Sequence, residues 1–189
     1  MMTTVKRGKV KRKKRNYEDR GMDQLRQDVL SDEEKLKLEQ YYFSKGMLGI
    51  RNYMGMCNMR SMALRGENLR AMELADMFLQ NMTSEGEGCM AIVWVLDHGK
   101  TNQFGKMEVG GSLRSKDPFW CAHGTLAQWL FFRFDISGMF PNMETSSDWY
   151  DIKLFPVDLK DQEKQMSRES HYKLVKRTFE SCEIITTKV

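Results

Sequence analysis

The sequence predicts a mostly α-helical α+β domain carrying one small antiparallel β-hairpin. Three observations predict it. Apolar residues recur at helical spacing from the early thirties to the seventies. The period then breaks at Ala91–Leu96 into a short continuous run of β-branched and apolar residues, and helical spacing returns after Pro118.

Taken in order, "LSDEEKLKLEQYYFS" places Ser31 three residues before Glu34. This is the pattern of a capping box, and a helix over Asp32 to Ser44 follows from it. In "KGMLGIRNYMGMCNMRSMALRG" the apolar positions Met47, Leu48, Ile50, Met54, Met56, Met59 and Met62 fit a helical stripe better than an alternating strand. Gly66 is the expected terminator of that helix, because glycine takes the left-handed conformation readily. A third, short helix is expected next, with Leu69, Met72, Leu74 and Met77 turned inward. Residues 90–115 read as two strands joined through the turn residues of "TNQFGK", with Gly110 and Gly111 marking a bulge or bend. "CAHGTLAQWLFFRFDI" reads as a central helix and residues 137–165 as a long loop with one short strand at "IKLF". "SRESHYKLVKRTFESCEI" reads as a final helix.

Length and composition fit one domain with a tail. The chain has 189 residues, 41% of them hydrophobic and 11% aromatic, enough for a single core, and its 16 methionines suit packing between helices. The formal charge of +4 is unevenly distributed. Lys6, Arg7, Lys9, Lys11, Arg12, Lys13, Lys14 and Arg15 hold eight of the 30 basic residues, which leaves 22 basic against 26 acidic residues in the remainder. Residues 1–20 therefore read as a disordered basic arm and 21–189 as a formally acidic domain. The arm suits a nuclear-localisation signal or the neutralisation of phosphates, and any nucleic-acid surface on the domain must be a local patch.

Several chemistries are excluded by pattern. Neither "RGENLR" nor "EVGGSLRS" matches a phosphate-binding glycine loop, and no serine or cysteine nucleophile signature is present. Cys57, Cys89, Cys121 and Cys182 stand singly. Cys121 and His123 alone do not make a metal site, so buried reduced thiols are expected and no cofactor is called for. No apolar run approaches the length of a membrane span, and the expectation is a soluble, non-secreted protein without a small-molecule substrate. What remains is a set of cations at structural punctuation points. Arg65 stands where a helix ends, Lys100 near the hairpin turn, and Arg114 and Lys116 where the second strand runs out. Such residues could clamp one phosphate from two sides; spacing alone favours ordinary surface charge.

The stretch "ALRGENLRAMELAD" resembles the box around the first active-site arginine of tyrosine recombinases, with Ala63, Leu64, Arg65, Leu69, Met72 and Asp76 at matching positions. "HGKTNQFGKMEVGGSLRSKDP" is similar to the β-hairpin of the fungal branch of that superfamily, which includes Crypton-type transposon recombinases and the DNA-binding second domain of the large fungal centromere-binding subunit. "RKKRNYEDRGM" and "FFRFDISG" resemble further segments of that branch. The resemblance spans nearly the whole chain. It implies an incomplete tyrosine-recombinase catalytic-domain-like fold, a nuclear location and double-stranded DNA as partner. Arg65 would be a phosphate ligand, with Lys100, Arg114 and Lys116 as further contacts.

Departures from the pattern bear on activity. The family's His-x-x-Arg box and its tyrosine nucleophile are expected beyond "CEIITTKV"; His171 has no arginine three residues on, Tyr172 belongs to the preceding helix and Tyr150 to the loop. Where many relatives read cysteine-proline-valine-glycine-alanine, this chain has "CAHGT". The expectation is a DNA-binding, non-catalytic module, because strand transfer needs the phosphotyrosyl intermediate. Two alternatives remain: the front part of an active recombinase, or a kinetochore-like scaffold, with a homodimer possible. Arg70, five residues after Arg65, is expected to be an ordinary surface charge.

Overall fold

A computed structural model describes residues 30–82, 88–96 and 107–185. The basic arm (Lys6 to Arg15) and Lys100 lie outside the described residues. Helix α1 (Asp32–Ser44) begins with the expected capping box: the Glu34 N–H donates to Ser31 Oγ at 3.2 Å and the Ser31 N–H to Glu34 Oε2 at 2.7 Å. Helix α2 (Gly46–Met62) crosses α1 closely enough that a Cβ on Gly49 would lie 1.8 Å from the Tyr42 carbonyl oxygen, so this position demands glycine. The helix ends earlier than expected and on a different residue. Ala63 adopts the left-handed conformation (φ 50°) and caps it, while Gly66 starts α3 (Gly66–Ala71).

Helix α3 has six residues and does not extend to Met77. The chain leaves it through a 3₁₀ turn at Leu74–Asp76 and enters a strand missed by sequence, β1 (Met77–Asn81). β1 pairs antiparallel with β2 (Met90–Leu96), which pairs antiparallel with β3 (Glu108–Ser112). The expected hairpin is thus two strands of a three-stranded sheet. Its β2–β3 register runs unbroken from Ile92↔Ser112 to Leu96↔Glu108. Gly110 and Gly111 accordingly sit in regular pairing opposite Trp94 and Val93, with no bulge.

Helix α4 (Ala122–Leu130) continues into a wider π-helical turn over Phe131–Ile136 that closes with the Ser137 N–H donating to Phe132 O at 3.1 Å. Residues 149–166 form no strand at "IKLF". They make isolated bridges (Glu73↔Lys153 and Pro156↔Gln165) and a strap across the core. Helix α5 (Arg168–Ser181), capped by Ser167, closes the fold.

The core explains why the strap is ordered. Ile152, Leu154 and Phe155 are buried with Met54, Leu69, Trp94, Leu126 and Trp129, each such side chain stabilising by roughly 1.5–3 kcal/mol. A Cβ on Gly55 would lie 2.8 Å from the Phe155 ring, so glycine lets α2 and the strap approach. A second cluster, around Leu38, Tyr42, Tyr53, Trp120 and Ile184, ties α1 to the end of α5.

Candidate functional site

The α2–α3 junction positions Arg65. Once Ala63 has turned the chain, Leu64 is buried in the core and its N–H donates to Met59 O at 3.0 Å. Arg65 follows in extended conformation (φ −75°, ψ 151°) as the residue before α3, its carbonyl accepting from the Leu69 N–H at 3.2 Å. Its backbone is therefore fixed from both sides while its side chain is exposed, with no hydrogen bond or ion pair among the described residues.

Arg65 lines a recess of about 310 Å³ with Asn68, Leu96, Glu108 and Gly110. Leu96 and Glu108 are the last pair of the β2–β3 ladder. The chain leaves the described residues from these two strand ends, and Lys100 lies in the intervening segment. The sheet thus brings Arg65 beside the β2 and β3 ends that bound the undescribed residues 97–106. The fold does not compel glycine at position 110, where a Cβ would meet Leu64, Leu96 and Met62 at an ordinary 3.7 Å.

Arg114 and Lys116 are not gathered into this recess. Six residues separate Glu108 from Arg114, about 20 Å of extended chain, so Arg65 and Arg114 flank opposite ends of β3. Arg114 borders a separate, largely apolar groove of about 480 Å³ with Met77, Leu79, Met90, His123 and Leu130. His123 Nε2 lies 3.2 Å from Met90 O. Burial lowers its pKa, Arg114 pushes the same way, and the bond to Met90 opposes. Lys116 is exposed in the turn before α4.

Other arginines have gone inward, and sequence reasoning missed them. Arg70, expected on the surface, is buried: its Nη1 lies 3.4 Å from His171 Nδ1 and its Nε has no partner. Burial lowers its pKa; Glu67 opposes this and Arg168 adds to it. His171 is pushed down to about 4, by burial first and then by the Arg70 and Arg51 charges. Arg51 on α2 donates through Nη1 to Pro156 O (2.6 Å) and Val157 O (2.8 Å), and stacks over Phe155. Arg133 donates to Lys153 O at 2.8 Å and twice to Gln162 Oε1 at 3.0 and 2.7 Å. Burial lowers both guanidinium pKa values to about 10. These two arginines, with the Trp129 Nε1–H bond to Leu154 O at 2.9 Å, fasten the strap to the helices. Lys153 and Glu73 add a half-buried ion pair.

Among the described residues no group of three or more potential metal ligands comes together. Cys121 Sγ accepts from the Ser115 N–H at 3.3 Å, a local contact with His123 engaged elsewhere. Cys57 is buried, which pushes its thiol up to about 12 and keeps it protonated. No helix among the described residues is long and apolar enough to cross a membrane.

The site thus consists of a short helix entered through an exposed arginine, beside a three-stranded antiparallel sheet and a helical frame. Crystal structures of the XerH site-specific recombinase superpose on this chain with that architecture. The post-cleavage complex with palindromic difH substrate matches at a TM-score of 0.53 and 15% identity over 85% of this chain. The pre-cleavage complex with difH matches at a TM-score of 0.51 and 18% identity over 84%. The chain spans 38% of the length of those recombinase chains. No curated protein matches the sequence. Residues 30–189 match the family described as centromere DNA-binding protein complex CBF3 subunit, domain 2, and the chain belongs to that family.

Proposed function

We infer that this chain binds double-stranded DNA in the nucleus without cutting it, and that Arg65 is a phosphate ligand. The observation that carries the reading is the combination at Arg65: a rigid backbone, an exposed guanidinium without a protein partner among the described residues, and a recess beside the strand ends that bound the segment containing Lys100. Family membership and the recombinase-like fold support the choice of partner. Phosphate contacts fix a protein on the duplex without reading sequence, so weak specificity follows. Arg114, on the far side of β3, reaches a different phosphate from Arg65 rather than the same one. Lys116 adds exposed charge near Arg114.

The non-catalytic part of the reading rests on the family, which is described by DNA binding; His171 does not stand in for the box. It has Leu174 where a His-x-x-Arg box needs arginine, and its ring is buried against Arg70 and Phe155. A histidine held neutral in that position cannot donate two hydrogen bonds to a phosphate. The eight cations of residues 6–15 add affinity that falls steeply with salt. Mobility shifts at several salt concentrations test the assignment. Arg65→Ala weakens binding at every ionic strength, and removal of residues 1–15 weakens it more while flattening the salt slope. Parent-like binding by Arg65→Ala throughout would overturn the site.

A further inference from the structure

A second cationic concavity lies away from the Arg65 recess. Arg51 stands near the start of α2 and Arg65 beyond its end; the thirteen intervening residues, mostly helical, put the two sites about 20 Å apart along the helix. α1, α2 and α5 enclose a cleft of about 370 Å³, within the size range of small-ligand sites. Lys45, Arg51, Lys173 and Arg177 line it, and no carboxylate does. Lys45 makes no ion pair among the described residues and rests over the Tyr41 ring at 4.9 Å, and Arg177 likewise makes none. Lys173 is held by Glu169 at 2.6 Å on the solvent side. Arg51 is 3% exposed, and Asp158 acts on its charge from outside the lining. Its bonds to Pro156, Val157 and Asn52 use four of its five N–H groups, leaving one on Nη2.

Asp158 and Glu169 offset part of this charge from outside the lining, but four cations lining one cleft with no carboxylate among them still leave a net positive field. The group that relieves it must be anionic, carry several charges and be compact enough to enter a recess. A duplex presents its phosphates on a convex surface and fits the Arg65 side better. We propose that the cleft between α1, α2 and α5 binds a small ligand bearing two or more phosphate groups. Tyr41 and Thr178 line the cleft, and Arg51 is the most buried of its cations.

The test is calorimetric titration of the full chain with inorganic tripolyphosphate and with orthophosphate. The variants are Lys45→Gln, Arg177→Gln and, as an equal-charge control on the same helix outside the cleft, Lys176→Gln. All three positions are exposed, so folding is preserved, and the amino-terminal cations contribute the same background to each variant. Expected are tighter binding of tripolyphosphate than of orthophosphate, a loss of at least fivefold in each cleft variant, and less than twofold in Lys176→Gln. Equal losses in all three variants, or no binding of tripolyphosphate beyond that of orthophosphate, overturn the proposal. So does a fivefold loss of duplex affinity in the cleft variants, which would make the cleft part of the duplex surface. Arg65→Ala leaves tripolyphosphate binding unchanged, so failure of the duplex assignment and failure of the cleft are separately visible.

Discussion

Arg133 and Arg65 are the same residue used in opposite ways. Arg133, on the π-helical turn after α4, is 0% exposed, and its guanidinium satisfies the Lys153 carbonyl and the Gln162 side chain across the strap. Arg65 is exposed, and among the described residues only its backbone is engaged. The difference teaches that charge carries no functional meaning until its partners are counted. An arginine whose donors are absorbed by backbone carbonyls is a structural bolt, whereas one held rigidly with its donors free is available to a ligand. Arg51 combines the two, with bolted donors and an edge on a cleft.

The strongest test of the contrast is Arg133→Ala. It leaves the Lys153 carbonyl and Gln162 without their donor and opens a cavity beside Trp129, so a loss of about 3–5 kcal/mol is expected. Urea denaturation reads it as a lower midpoint. Arg133→Lys, able to reach one acceptor, falls between parent and Ala. A midpoint within experimental scatter of the parent in Arg133→Ala would remove the distinction between bolted and free arginines.

His171 sharpens the same comparison through pH. An unfolded imidazole titrates near 6.5, whereas the folded one is held at about 4 by burial and by Arg70 and Arg51. On acidification the unfolded state takes up its proton first, so stability is full above about pH 6.5 and declines as pH falls toward 4. Full burial would make the interval worth about 3 kcal/mol, and solvent screening at the edge of the core reduces it to about 2. In His171→Gln the stability curve between pH 6.5 and 4.5 becomes flatter than that of the parent. Parallel curves for the two proteins would remove His171 from the acid response.

How far the sequence could be read depended on whether a signal was local. The Ser31–Glu34 capping box is a four-residue device, and it is found as expected. Glycine preference points to Gly66 as the end of α2, while the core seat of Leu64 fixes the turn three residues earlier and puts Ala63 into a conformation it does not favour. β1 was hidden because "MFLQN" has no alternation; its pairing with β2 decides its conformation, and Phe78 and Leu79 remain exposed on this edge strand. The strap looked like a polar loop because its apolar residues follow neither period. Arg70 is buried rather than a surface charge, and the sequence carries no mark of the His171 ring that receives it 101 residues later. The place of Arg65 at a helix junction was legible from its motif, whereas the recess beside it, set by the β2 and β3 ends, was not. The separation of Arg114 from that recess was not, since strand length rather than residue type sets it.

At Arg65 the two kinds of arginine predict opposite results in two assays. Arg65→Ala changes the unfolding free energy by less than about 0.5 kcal/mol, as a surface substitution without partners should. Duplex affinity falls about tenfold, the scale of one charge-assisted phosphate contact. A large stability loss would mean that Arg65 is bolted after all, and the contrast with Arg133 would fail from this side.

The smallest effect lies two residues away. Ala63 caps α2 at φ 50°, where an L-residue with a Cβ is strained by roughly 1 kcal/mol. Ala63→Gly relieves the strain but gives the unfolded chain more freedom to lose, so a net gain of about 0.5 kcal/mol is expected. Duplex affinity should stay within twofold of the parent, because Leu64 in the core and the Leu69 N–H bond still hold the Arg65 backbone. A glycine variant that is more stable yet binds several-fold more weakly would show that the left-handed alanine, rather than those two anchors, keeps the guanidinium in place.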